Sequence, residues 1–134
     1  MMGYTIGQAA KKVGLSVYTL RYYEKEGLLP FVERTESGIR CYKDSDFDWL
    51  GMIGCLKNTG MNIHEIRNFV VWCMEGDATL PTRIRLFYSQ KKAVKEKIRE
   101  FEGYLEKIDY KIEYYAQEMR RAGMDIPEDD GSGI

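Results

Sequence analysis

Tyr4-Thr5-Ile6-Gly7-Gln8-Ala9-Ala10-Lys11-Lys12-Val13-Gly14-Leu15-Ser16-Val17-Tyr18-Thr19-Leu20-Arg21-Tyr22-Tyr23-Glu24 is the stretch on which the fold turns. Thr5, followed by Gln8, reads as a capping box and predicts a first helix running to about Val13. Gly14 closes that helix. Ser16 caps a second, Val17 to Glu26, which stops at Gly27 with Pro30 beyond. Two helices joined by a turn of about three residues have helix-turn-helix spacing. Leu20 and Tyr23 point towards Ile6, Ala9, Ala10 and Val13 of the first helix. Tyr18, Arg21, Tyr22 and Lys25 stand at i, i+3, i+4 and i+7 and share the opposite face. An arginine grips phosphate or a guanine edge bidentately, and a tyrosine offers a hydroxyl and a flat apolar ring. A solvated helix surface looks the same when taken alone. The flanking segments decide between the two.

Outward from that pair, Phe31-Val32-Glu33-Arg34 and Ile39-Arg40-Cys41-Tyr42 are short β-prone runs around Thr35-Glu36-Ser37-Gly38. They predict a small hairpin, or wing. A third helix begins at Asp44 or Ser45, with Asp46 and Asp48 suiting its positive end, and ends near Gly60. Asn62 with Glu65 caps a fourth, which stops at Gly76. Then Ile84, Phe87, Lys91, Val94, Ile98, Phe101, Leu105, Ile108, Ile112, Tyr115 and Met119 succeed one another at alternating spacings of three and four. That is a heptad seam whose only charged member is Lys91. A helix of about 40 residues extends about 60 Å and cannot hide such a seam on so small a body. A second copy is the simplest cover, so residues 77–121 read as a dimerisation coiled coil. The bland alternative is a long helix folded back on its own domain. The division expected is 1–76 for a DNA-binding domain with two accessory helices, 77–121 for the long helix, and 122–134 for an acidic flexible tail.

The 134 residues, 44% hydrophobic, suffice for one compact domain or a small domain with a long appendage. The net charge of -1 argues against a general nucleic-acid coat. Residues 1–43 nonetheless hold seven Lys/Arg against four acids, the local excess expected of a focused nucleic-acid site. No apolar run approaches a membrane span, and no signal-peptide core precedes the first helix, so a cytoplasmic protein without a membrane partner is expected. Cys41, Cys55 and Cys73 are odd in number and unpatterned, fitting neither a zinc site nor a disulfide framework. No cofactor or metal is expected.

Tyr4-Thr5-Ile6-Gly7-Gln8-Ala9-Ala10, Thr19-Leu20-Arg21-Tyr22-Tyr23-Glu24 with Gly27-Leu28-Leu29, and Arg34 through Gly38-Ile39-Arg40 to Tyr42 fall in order over residues 4–75. In these motifs the chain resembles the MerR family of transcription regulators. The resemblance implies a mainly α fold: a winged helix-turn-helix dimer joined by an antiparallel coiled coil of long helices. It also implies binding to a near-palindromic operator in a promoter whose two polymerase elements are spaced too far apart. An effector then makes the dimer bend and untwist the DNA, bringing those elements into register for RNA polymerase. Carried over by position, Tyr18, Thr19, Arg21 and Tyr22 lie in or beside the major groove. Arg34, Arg40 and Tyr42 on the wing hold the backbone, with Lys57 a weaker candidate. Ile39 and Cys41 are expected to pack the wing.

Metal-sensing relatives carry paired cysteines at the end of the long helix, and here none comes after Cys73. Cys55, within Met52-Ile53-Gly54-Cys55-Leu56-Lys57-Asn58-Thr59-Gly60-Met61, is similar to a cysteine of the branch that responds to aldehydes and thiol-reactive stress. Ile108 to Tyr115 is similar to the same branch. Lys57 nearby would favour a thiolate. The alternative is a buried cysteine acting as a small hydrophobe. His64, the single histidine, is expected at the surface, and Trp49 and Trp72 in the core. Three other functions compete: a regulator with a small molecule between its DNA-binding domain and coiled coil, an excisionase-like DNA-bending module, and a coiled-coil adaptor. The adaptor needs no Arg-Tyr-Tyr face, and the excisionase-like module needs no coiled coil. Nothing in the sequence assembles an enzyme's nucleophile, base and pocket.

Overall fold

Thr5 Oγ1 accepts from the Gln8 backbone N–H at 3.2 Å while Gln8 Oε1 accepts from Thr5 N–H at 2.9 Å, so the capping box is closed in both directions. In this computed structural model, which describes residues 3–132, that box starts α1, Ile6–Val13. Gly14, at φ 72, supplies the left-handed residue that ends it. Ser16 caps α2, Val17–Lys25, by accepting from Thr19 N–H at 3.0 Å. The strands β1, Glu33–Arg34, and β2, Arg40–Cys41, pair antiparallel, with Arg34 opposite Arg40. Next come α3, Asp44–Asn58, and α4, Ile63–Met74, whose Asn62/Glu65 capping box is likewise closed in both directions. A 3-10 turn, Gly76–Thr79, leads into α5, Leu80–Arg121, one helix of 42 residues.

The chain divides into two units, Met1–Lys91 and Lys92–Ile134. In the first, Ala9 and Ala10 of α1 let α2 approach closely. Leu20 and Tyr23 fill the space between, with Leu28, Leu50, Ile53, Leu56, Ile66 and Val70 behind them. Each fully buried aliphatic side chain contributes about 1.5–3 kcal/mol over leaving it in water. A run of aromatic contacts crosses this unit. Phe31 meets Trp49 edge-on at 5.3 Å, Trp49 stacks on Phe69 at 5.7 Å, and Phe69 meets Phe87 edge-on at 5.5 Å. Trp49 Nε1 donates to the Leu28 carbonyl at 2.8 Å, so its one polar atom is satisfied. Trp72 packs against the same core. Because Leu86 and Phe87 at the start of α5 also pack there, the compact body runs to Lys91, past the expected boundary at 76.

The second unit is the remainder of α5 and the short C-terminal segment. Along α5, Ile98, Phe101, Leu105, Ile108, Ile112 and Tyr115 are all exposed, Phe101 to 62%. The helix ends in a paired turn, with Gly123 N–H donating to Arg120 O and Met124 N–H to Met119 O. The expected acidic tail over 122–134 is here partly a hook. Ile126 and Pro127 come back over Ala116 and Met119, and Ala116 is the one buried residue of α5. Residues 133–134 lie outside the described part, as do 1–2.

Candidate nucleic-acid interface

α2 buries one face and leaves the other open. Leu20 and Tyr23 are in the core, whereas Tyr18 is 79% exposed and Arg21, Tyr22 and Lys25 stand beside it at the surface. No ion pair or hydrogen bond holds the Tyr18 hydroxyl or the Arg21 guanidinium among the described contacts. Thr19 is half-buried, its hydroxyl engaged with Ser16 Oγ at 2.9 Å within the helix cap. Lys57, exposed near the end of α3, places its ammonium 5.7 Å above the Tyr23 ring.

The wing is tied to α2 through one acid. Arg34 donates to Glu24 Oε1 at 2.8 Å and to the Gly38 carbonyl at 2.8 Å. Arg40 forms an ion pair with the other oxygen of the same carboxylate. Arg34 keeps half its side chain in solvent, but Arg40 is three-quarters covered. Lys43, at the wing's exit, pairs with Glu33 at 3.3 Å.

Three wing residues are placed differently from expectation. Tyr42 is 0% exposed, so its ring belongs to the core and cannot reach a phosphate. The cause is a backbone bridge: Tyr4 N–H donates to Tyr42 O at 2.7 Å and Tyr42 N–H to Tyr4 O at 2.8 Å, drawing the side chain inward. Burial raises the Tyr42 hydroxyl pKa above the usual phenol value; Arg40 opposes that shift and Asp46 adds to it. Arg40 spends its charge on Glu24, which leaves less of it for DNA than the sequence implied. Ile39, expected to pack the wing, is 63% exposed at its tip. Cys41 is half-buried.

Cys55 is exposed on α3, which removes the reading of it as a buried hydrophobe within one chain. Cys73 is half-buried beside Arg83; burial raises its pKa and the guanidinium partly counters this. His64 is at the surface. Among the described residues no three His, Cys, Asp or Glu side chains are grouped to share a metal ion, and no helix is long and apolar enough to cross a membrane.

Two residues were not singled out from sequence. Glu24 joins both wing arginines, and Arg67 on α4 donates through Nε to the Glu26 carbonyl at 2.8 Å while pairing with the Glu26 carboxylate. The signal for Glu24 was an acid in the last turn of a basic helix, where the helix dipole disfavours it.

A helix-turn-helix with an exposed basic-aromatic face, a two-stranded wing and a long C-terminal helix defines a winged helix-turn-helix DNA-binding protein. The comparisons with known proteins agree. The profile described as "MerR HTH family regulatory protein" matches residues 4–70. An uncharacterised HTH-type transcriptional regulator of Haemophilus influenzae is 47% identical over 114 residues, 85% of this chain and 84% of that one. The HTH-type transcriptional regulator AdhR of Bacillus subtilis is 38% identical over 91 residues, 68% of this chain and 65% of that one. The solved structure of HiNmlR, described as a MerR family regulator lacking the sensor domain and bound to promoter DNA, superposes with a TM-score of 0.83. It is 46% identical, over 92% of this chain and 97% of that one. The chain belongs to the MerR family and is a DNA-binding transcriptional regulator, not an enzyme.

Proposed function

We propose that the chain acts as a homodimer that grips promoter DNA with the open face of α2 and distorts it in response to an effector. Tyr18, Arg21 and Tyr22 enter or line the major groove, Thr19 sets the first turn, and Arg34 and Lys57 steady the backbone. The observation that carries this is the division of α2: a core face of Leu20 and Tyr23 and an open, exposed face of Tyr18, Arg21, Tyr22 and Lys25. The exposed seam of α5 is the surface through which two copies join, since contiguous apolar stripes of this size mark association sites. A two-fold dimer then presents two α2 faces to two half-sites one helical turn apart, about 34–36 Å.

Switching works by indirect readout. Bending a promoter costs on the order of 1–6 kcal/mol, and an effector that favours the bent complex by that amount moves RNA polymerase onto it. Cys55 is the proposed sensor, for an aldehyde or another thiol-reactive electrophile. Its exposure on α3 leaves the thiol open to attack. Footprinting and transcription from the promoter upstream of the chain's own gene, with and without such electrophiles, test the whole reading. Arg21→Ala tests the α2 face: it should lose promoter binding at physiological salt while the far-ultraviolet helical signal is unchanged. Retained affinity removes α2 as the reading helix.

A further inference from the structure

Glu24 sits where two separate effects disfavour a carboxylate. It lies in the last turn of α2, at the negative end of the helix dipole, and on the helix proposed to meet phosphates. A residue kept there against both effects needs a compensating role, and its contacts supply one. One oxygen takes Arg34 at 2.8 Å and the other takes Arg40, two residues directly opposite each other in the β1–β2 ladder. One side chain on α2 therefore holds both strands of the wing. The other end of the clamp is also fixed: Arg67 of α4 binds both the carbonyl and the carboxylate of Glu26, so the end of α2 cannot fray and carry Glu24 away.

We infer that Glu24 is a positioning residue that sets the angle between wing and reading helix by holding Arg34 and Arg40, so that both elements meet one DNA duplex in register. This rests on the proposed DNA face of α2. The half-exposed Arg34 is oriented by its two contacts, Glu24 and Gly38, and keeps half its side chain in solvent, where a phosphate can reach it. Arg40, largely covered, is the strut. The cluster of two guanidiniums and one carboxylate keeps one net positive charge, so the site still favours the DNA backbone.

The sign of one substitution separates this from a merely tolerated anion. A duplex enriched by the wild-type protein from a random-sequence pool serves as the specific probe, and an unrelated duplex as the non-specific one. Glu24→Gln removes a negative charge, so plain electrostatics predicts tighter binding to both. The positioning role predicts about a tenfold loss on the enriched duplex, the scale of one charged hydrogen bond, with the unrelated duplex bound equally or more tightly. Glu24→Asp, which keeps the charge but shortens the reach, falls between. Tighter binding of the enriched duplex by Glu24→Gln overturns the inference. Equal losses on both duplexes with a broadened unfolding transition also overturn it, as a fold effect. If Glu24→Gln does not fold, Glu24→Asp decides, and wild-type affinity in that variant overturns the inference. Arg21→Ala, run alongside, reports on the α2 face itself: undiminished binding there marks failure of the underlying reading rather than of the Glu24 role.

Discussion

Gln90 Nε2 donates to Thr59 Oγ1 at 2.7 Å, and that hydroxyl in turn donates to the carbonyl of Cys55 at 2.8 Å. Three residues thereby link the first turns of α5, the end of α3 and the backbone of the candidate sensor. A covalent change at Cys55 that shifts the end of α3 acts directly on the hydrogen bond that ties α3 to α5.

Thr59→Val deletes the shared hydroxyl while keeping its shape. Gln90 then keeps only the Thr59 carbonyl, at 3.3 Å. The expected loss is about 0.5–1.5 kcal/mol of stability, the range for one net hydrogen bond, since the Cys55 carbonyl still accepts from the Thr59 N–H. Urea unfolding monitored by Trp49 and Trp72 fluorescence reads it. An unchanged midpoint shows that the linkage contributes nothing and cannot transmit a signal.

Cys55→Ser should bind the promoter as the wild type does, because Cys55 is not on the α2 or wing surfaces, and should lose induction by aldehydes or oxidants. The hydroxyl keeps about the same size and removes the nucleophilic sulfur. Reporter transcription from the chain's own promoter, with graded electrophile, gives the answer. Full induction in the variant returns the sensor role to some other group.

Much of the fold was readable because its signals are local. Thr5/Gln8 and Asn62/Glu65 are helix starts within one turn, and the heptad seam needs only its own spacing. Tyr42 was misread because its burial depends on pairing with Tyr4, far away in sequence, which no local pattern announces. Arg40 looked like a phosphate contact for the same reason: its partner, Glu24, comes from another element. The α2 face, a property of a single helix, was legible in full, whereas the division of labour on the wing required three elements to be in place together.

Tyr42→Phe tests that correction. Its hydroxyl is buried and has no hydrogen-bond partner among the described atoms, so removing it should leave stability unchanged or raise it by about 1 kcal/mol. Promoter affinity should not change, and a tenfold loss would restore the tyrosine to the DNA surface. The pH dependence has a definite sign. The folded pKa is raised by burial, so the stabilising contribution is complete below the unfolded value of about 10 and declines as pH rises above it. The difference in stability between wild type and Tyr42→Phe should therefore move against the wild type in alkali.

Leu105→Lys addresses the seam. Leu105 is more than half exposed in one chain, as are Phe101 and Ile108 beside it. A lone helix of this length gains little stability from propensity alone, so its stripe needs a partner to bury it. Each leucine so buried contributes about 1.5–3 kcal/mol, and a lysine in its place adds the cost of desolvating a charge in both copies. Sedimentation velocity should therefore show a dimer for the wild type and a monomer for the variant at the same concentration. The Trp49 and Trp72 emission should stay native, since both residues pack against the core of the first unit. Promoter binding should weaken far more than that of a single half-site, because two α2 faces no longer bind as one unit. A variant that remains dimeric would show that α5 joins the copies through another face.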